Sequence, residues 1–501
     1  MNAAVSKPKV QVQPQDATFL YLEGENCHTH VLMAWIYEPV SGPDSAPSIE
    51  DIRRHVASRL HVSHMLTQKL VRVPLDVDYP WWVDEDRLDL DYHVRESEAP
   101  APGDWAAFRK VVSAIHSEPL DLKKPLWEIH VVRGLNFNAL KKGAFAVVIK
   151  LHHVAVDGET GMAIIRGFHD LDPTPIPPES KQAAPTTLKH HGRKAPNSLQ
   201  MVAAAVLNNL NYSIKGLGAL AELASRLPNL LSRVRLQDML NGKQAPDCLF
   251  HQDVSRERVV DSRFFDLERF KNIRPAVPGA TINDVLLAVC GGALRRFLES
   301  KDDLPEDSLV VVCPINVRTR DEADQGGNRI AMMTTAIHSN IADPLERLQA
   351  VYASTQQSKS VIESIGAREI QELNNSLPSV LQSLAIAAVN HVPGMPKMPR
   401  KFNCSISNVP GPREPLYLGE ARMVNMAVGM PVANGYGLFI GFCTYNGQVT
   451  LNVTSAWNIL PEPDQLMVQF EHALAELEKA AGVGQKSPQS RKRSGAGATG
   501  G

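Results

Sequence analysis

Residues 144–171 read AFAVVIKLHHVAVDGETGMAIIRGFHDL. Positions 144–149 form an unbroken apolar run of β-branched and aromatic character, the composition of a buried strand. Two adjacent histidines, His152 and His153, follow, and then a short loop with Asp157-Gly158. Beyond Gly161 the period changes: Met162, Ile165 and Phe168 or His169 recur at helical spacing. A titratable pair at the end of a buried strand, followed by an acid and a glycine-permitted turn, is suited to placing a base.

Successive strand side chains point to opposite faces, so His152 and His153 are not expected to face the same site. One ring is held by packing while the other enters a cleft. A neutral imidazole near pH 7 can take a proton from a hydroxyl as that hydroxyl attacks a carbonyl. Asp157 has two available roles: orienting the imidazole, or pairing with an arginine elsewhere to pin the turn. The spacing leaves both open. No GxSxG elbow exists and no cysteine lies near the histidines, which favours direct transfer between two substrates over a covalent intermediate. A purely structural histidine pair fits the same residues. Opposite-facing rings make poor metal ligands, so no metal is expected.

The 501 residues exceed what one ordinary core holds and suggest two domains. A net charge of -2 gives no reason to expect nucleic acid. The six cysteines show no CxxC or CxxH spacing, which points to reduced thiols in a cytoplasmic protein. The N-terminus has no apolar signal-like run, and no stretch reaches the ~20 apolar residues of a spanning helix. Membrane contact is therefore expected to be peripheral.

Residues 1–14 read as a loose N-terminus and 15–171 as a first α/β lobe. Within it, 16–23 (DATFLYLE) is an opening segment, 30–37 and 127–135 are strands, and 49–60 and 104–115 are helices. Residues 172–254 read as a proline-rich linker followed by connecting helices, two of them over 198–241 broken near Pro228. The linker holds a second pair, His190-His191, with neither a buried strand before it nor an aspartate four residues after it. Paired histidines alone are thus a weak signal. Residues 255–481 read as a second α/β lobe, with Asn283-Asp284 in the first turn of a helix, and 482–501 as a disordered Gly/Ser-rich tail. Two such lobes suggest a cleft between them.

The string 152–158, HHVAVDG, matches the HHxxxDG signature of the CoA-dependent acyltransferase superfamily, which includes chloramphenicol acetyltransferases and peptide condensation domains. Further blocks narrow the resemblance: Pro125-Leu126-Trp127-Glu128 with Gly134, Asn283-Asp284, 314–320 (PINVRTR) with Gly327-Asn328, and 407–412 (SNVPGP) with Pro415-Leu416-Tyr417. They occur in order, and over roughly 14–480 the chain resembles the bacterial wax ester synthase/diacylglycerol acyltransferase family.

That resemblance implies two chloramphenicol-acetyltransferase-like α/β lobes with a substrate tunnel between them. It implies His153 as general base, His152 as its support, and Asp157 as a structural residue paired with Arg318 of the second lobe. Gly158 and Gly161 would let the backbone turn close to substrate, and Asn283 would either donate to the oxyanion or shape a loop. Trp127 and residues 410–412 would be structural. No bound cofactor is implied; acyl-CoA is the co-substrate, and diacylglycerol or a fatty alcohol the acceptor. Triacylglycerol or wax ester would be the product, made at a peripheral membrane face or a lipid inclusion. The helices of 198–241, beside Lys189, Arg193 and Lys194, would either lie on an anionic surface or pack between the lobes. The chain departs from the family at Ser455-Ala456-Trp457-Asn458, where a polar Asp-Arg pair is usual. Two other functions therefore stand beside the first: transfer to a different acceptor, and a weakly catalytic protein that binds lipid inclusions.

Overall fold

The computed structural model describes residues 11–156, 158–174, 176, 187–189, 196–233, 244–316, 330–365, 378–379, 381–383 and 401–483. Asp157, Arg318, His190-His191, Gly327-Asn328 and nearly all of the expected tail lie outside the described residues.

The first half of the chain runs α1 (Pro14–Tyr21), β1 (His30–Pro39), α2 (Ile49–Arg59), β2 (Gln68–Val71), β3 (Trp81–Asp84), β4 (Arg87–Asp89), α3 (Leu90–His93) and β5 (Val94–Glu98). It continues through α4 (Trp105–Ser117), β6 (Trp127–Arg133), β7 (Phe145–His152), α5 (Gly158–Gly167), β8 (Thr187–Lys189) and α6 (Ser198–Arg233). The second half runs β9 (Arg258–Asp266), α7 (Leu267–Ile273), α8 (Ile282–Glu299), β10 (Val310–Asn316), β11 (Ile330–Ala336) and α9 (Pro344–Ile365). It closes with β12 (Cys404–Val409), β13 (Tyr417–Leu418), β14 (Ala421–Gly429), β15 (Leu438–Tyr445), β16 (Gln448–Ala456) and α10 (Pro463–Ala480).

Two mixed six-stranded sheets organise these elements among the described residues, in the orders β13-β14-β1-β7-β6-β5 and β11-β10-β12-β15-β16-β9. β7 lies inside the first sheet and is buried along its whole length. Its uninterrupted apolar run follows from burial on both faces. Phe145, Val147, Ile149 and Leu151 pack with Ile52 and Val56 of α2 and Ile164 and Phe168 of α5. Ala146 and Val148 face the other way, toward Phe108, Val112 and Ile115 of α4. Lys150 shares that second face, and its ammonium donates to the carbonyls of Ile115 and Glu118 at the C-terminal end of α4 and pairs with Glu128 at 3.0 Å. A cation at a helix C-terminus meets the partial negative charge of its unpaired carbonyls.

The chain order of the lobes is not the order of the sheets. β14 pairs with β1 along eight positions, from Leu32 opposite Gly429 to Pro39 opposite Ala421, so the 255–481 section donates strands to the first sheet. α4 in turn covers the open edge of the second sheet. Ser117 and Ser113 accept hydrogen bonds from the edge amides of Arg258 and Val260 on β9, at 2.8 and 3.1 Å. An exposed row of unpaired amides is thereby avoided.

The helical connection after the linker differs from expectation, and two local elements add to the sequence reading. Residues 16–23, read only as an opening segment, lie mostly in α1, with Pro14 preset for its first turn. The region 198–233 is one helix of 36 residues with Pro228 inside it. A proline removes one intrahelical bond there without ending the helix. α3 is capped by Asp89, whose carboxylate accepts from the amides of Asp91 and Tyr92.

Candidate active site

β7 ends at His152, and the chain turns there because the amides of Ala155 and Val156 return to the carbonyls of His152 and His153. Neighbouring segments hold the ends of that turn: Leu126 O accepts from the His152 amide at 3.0 Å and Thr29 O from the His153 amide at 2.9 Å. The two rings then take different surroundings, His152 as the last residue of the strand and His153 as the first of the turn.

His152 is fully buried. Its Nε2 lies 3.1 Å from Glu23 Oε1 and 3.3 Å from Thr29 Oγ1, and its Nδ1 accepts from the Val154 amide at 3.1 Å. An imidazole whose Nδ1 accepts a backbone N–H carries its proton on Nε2 and donates it to the carboxylate. Both nitrogens of this ring are committed to partners within the protein. His153 is partly exposed, and its ring stacks on Phe19 of α1 with centroids 3.8 Å apart and planes 11° from parallel. Of the pair, His153 is the more exposed ring.

The segment from Phe19 to His30 brackets both rings. Glu23 Oε1 also accepts from the Thr29 amide at 2.8 Å, and Thr29 Oγ1 donates to the carbonyl of Phe19 at 2.9 Å. Burial raises the Glu23 pKa, but the hydrogen bond from His152 and the nearby His28 outweigh it and hold the carboxyl well below the usual range. His30 sits opposite His152 in the β1–β7 register, and burial lowers its pKa well below the usual histidine value. His116, at the end of α4, is lowered to about 3, also chiefly by burial. Burial therefore favours the neutral form of both rings.

The second half closes on this region from three directions. Arg258 donates to the carbonyl of Asn26 at 2.6 Å, Cys27 lies with its sulfur 3.6 Å from Val432 O, and His116 meets Met430 O at 3.3 Å. Further along the junction, Asp261 accepts from Trp105 at 2.7 Å and Arg109 at 2.8 Å, and Arg109 reaches Asp464 at 3.1 Å. A small, mainly apolar cavity lies beside this cluster, lined by Leu32, Ala34, Phe108, Val112, Val260 and Gly429 among others.

The other residues singled out from sequence take these places. Gly161 lies within α5, where an added Cβ would make only an ordinary contact with Val156 at 3.7 Å, so no close approach of the protein backbone requires glycine there. Gly158 begins α5. Asn283 is the second residue of α8 and partly exposed, while its neighbour Asp284 forms a capping box with Thr281 and accepts from Thr355 at 2.7 Å. Trp127 is buried, donates to Leu66 O at 2.9 Å and stacks on His93 at 4.3 Å. Ser455 is buried at the end of β16 and donates to Gly437 O at 2.5 Å, and Asn458 binds the backbone at Asp253 and Ser255. The divergent block is thus tied to the chain just ahead of β9. Among the described residues no cluster of histidine, cysteine or carboxylate side chains could hold a metal ion. Sequence reasoning missed Phe19, Glu23, Arg109 and Asp261. A glutamate shortly before His28-Thr29-His30 was the one available signal for Glu23.

Similarity to known proteins identifies the family to which this chain belongs. The model of the wax ester synthase/diacylglycerol acyltransferase catalytic domain matches residues 12–286, and that of the WS/DGAT C-terminal domain matches residues 326–478. The chain belongs to this family of acyltransferases. A putative diacylglycerol O-acyltransferase of Mycobacterium tuberculosis is 33% identical, with 96% of this chain and 99% of the relative aligned. The O-acyltransferase WSD of Acinetobacter baylyi is 30% identical over 93% of this chain and 96% of its own. Among solved structures, the wax ester synthase/diacylglycerol acyltransferase of Marinobacter aquaeolei superposes with a TM-score of 0.67 at 24% identity, covering 95% of this chain and all of that one. The starter condensation domain of rhizomide synthetase, solved with C8-CoA and Leu-SNAC, shares the fold at a TM-score of 0.52 and 13% identity, over 94% of each chain.

Proposed function

We propose that the protein transfers a fatty acyl group from acyl-CoA to the hydroxyl of diacylglycerol or a long-chain alcohol, giving triacylglycerol or wax ester and free CoA. The observation that carries this reading is the setting of the histidine pair: the His152 ring is fully buried between Glu23 and the Val154 amide, and the His153 ring is partly exposed and lies on Phe19. The names of the relatives supply the substrate class.

In this mechanism His153 takes the proton of the acceptor hydroxyl as its oxygen attacks the thioester carbonyl. The tetrahedral oxyanion collapses, the C–S bond breaks, and the imidazolium returns its proton to the leaving CoA sulfur. No acyl-enzyme forms. Asn283 serves this step either as a donor to the oxyanion or as a residue that shapes the start of α8. Asp157 has a structural role in the same reading, pairing with Arg318 to hold the turn after the histidines.

The reaction's lipid partners suggest a surface as well as a site. No helix among the described residues is long and apolar enough to cross a membrane. α6 nevertheless exposes Leu199, Val202, Val206, Leu210 and Ile214 along one face, while Met201 and Ala205 pack on Val73 and Asn208 donates to Asp78. We place lipid contact on that outer face, with a membrane or lipid inclusion as the surface.

The test is release of free CoA from palmitoyl-CoA, read with a thiol reagent, across a panel of dioleoylglycerol, hexadecanol, short polar alcohols and no acceptor. Release with dioleoylglycerol or hexadecanol supports the reading. Release only with polar alcohols would move the acceptor class, and no release with any acceptor would leave the lipid-binding reading in its place.

A further inference from the structure

The geometry points to Glu23 as a positioning residue of the transfer reaction, acting through His152 to fix the turn that presents His153. It rests on His153 being the base, and it adds a residue outside the HHxxxDG motif, on the segment after α1.

Two N–H donors converge on one carboxylate oxygen of Glu23. Glu23 Oε1 lies 3.1 Å from His152 Nε2 and 2.8 Å from the Thr29 amide, while Thr29 Oγ1, 3.1 Å away, gives its one proton to the shorter contact with the Phe19 carbonyl. The other oxygen, Oε2, is 4.0 Å from His28 Nδ1, too far for a hydrogen bond but near enough for attraction if His28 is charged. A carboxylate largely removed from water is stable only where such donors replace its hydration.

These contacts link both histidines to a single segment. Through His152, Glu23 secures the Nε2–H tautomer, which leaves Nδ1 as the acceptor for the Val154 amide. Through Thr29, Glu23 holds the strand entrance whose carbonyl accepts the His153 amide at 2.9 Å. The same threonine ties back to the carbonyl of Phe19, the residue on which the His153 ring lies. One carboxylate therefore sets the backbone at His153 and, one step removed, the aromatic surface that orients its ring. Its effect on turnover passes entirely through the two histidines.

A charge that only filled a buried gap would leave the chemistry alone once the fold survived. A positioning charge would change turnover more than binding. Glu23→Gln keeps the shape and one acceptor oxygen but removes the charge, and Glu23→Asp keeps the charge on a shorter arm. Steady-state kinetics with palmitoyl-CoA and whichever acceptor the wild type uses should show kcat of Glu23→Gln reduced by about 10- to 100-fold, the range for removing a partner that orients a functional histidine. KM should stay within about twofold. Glu23→Asp should recover part of kcat. In histidine-labelled protein the His152 Nε2–H proton resonance should move upfield in Glu23→Gln, because a neutral acceptor replaces the carboxylate.

The spectroscopic arm separates this inference from the assignment of the base. If His153→Ala retains turnover, the base is wrong, yet the His152 resonance still reports whether Glu23 holds that ring. Thermal melts of all variants identify any that fail to fold, and Glu23→Asp then carries the kinetic comparison. A kcat for Glu23→Gln within about twofold of wild type, or an unmoved His152 resonance, overturns the proposal.

Discussion

Arg109 on α4 and Asp261 on β9 form a 2.8 Å ion pair across the junction of the two sheets, with the aspartate side chain fully buried. Trp105 and Arg263 donate to the same carboxylate, and Arg109 also reaches Asp464. A buried charge that loses a partner keeps its desolvation cost without its compensation. Arg109→Ala and Asp261→Ala should each lower stability by about 1–3 kcal/mol, less than a lone buried pair because other donors and acceptors remain. The double variant should fall short of the sum of the singles. Thermal midpoints of the four proteins test this, and strict additivity would show that the pair does not couple the lobes.

Acid should destabilise the protein in two stages. Burial lowers the pKa of His116 to about 3 and those of His93 and His169 to about 4. The unfolded chain then binds protons at these histidines before the folded one does, so their contribution is intact above about pH 6.5 and is lost as pH falls toward 4. Glu128 is lowered to about 2, against the effect of burial, by His130 and Lys150, and Glu23 is lowered further. Their contribution is present above about pH 4.5 and declines as pH drops through the depressed values. The thermal midpoint should therefore decrease below about pH 6.5 and more steeply below about pH 4.5. A midpoint unchanged from pH 7 to 5 would contradict the neutral, buried state of the three histidines.

Gly411, in the SNVPGP block, packs so closely that an added Cβ would overlap the carbonyl oxygen of Thr444, with Met426 Cε at 3.2 Å on another side. Its amide donates to Thr444 Oγ1 at 3.1 Å. A backbone carbonyl cannot swing away as a long side chain can. Gly411→Ala should cost about 1–3 kcal/mol, read as a lower thermal midpoint. An unchanged midpoint would mean that the loop after β12 yields freely.

Much of the fold was legible in the sequence where local pattern and burial agree. The run at 144–149 announced β7 because a strand buried on both faces needs no polar alternation. The Thr281–Asp284 capping box made the start of α8 readable for the same local reason. β14 was not recognised, because its place beside β1 depends on a return across nearly the whole chain that no local pattern encodes. That His152 and His153 take different surroundings was expected from the sequence, yet the partners of each ring were not. Glu23 lies 129 positions from His152 by the numbering, and Phe19 belongs to a stretch read only as an opening segment.

The account's central claim is that His153, and not its neighbour, takes the proton of the acceptor. The most direct measurement is CoA release from palmitoyl-CoA in the presence of the preferred acceptor, comparing wild type with His153→Ala at matched thermal midpoint. Turnover should fall by at least about 100-fold in His153→Ala, the loss expected when a general base is removed. A folded His153→Ala that turns over within about threefold of wild type would contradict the account.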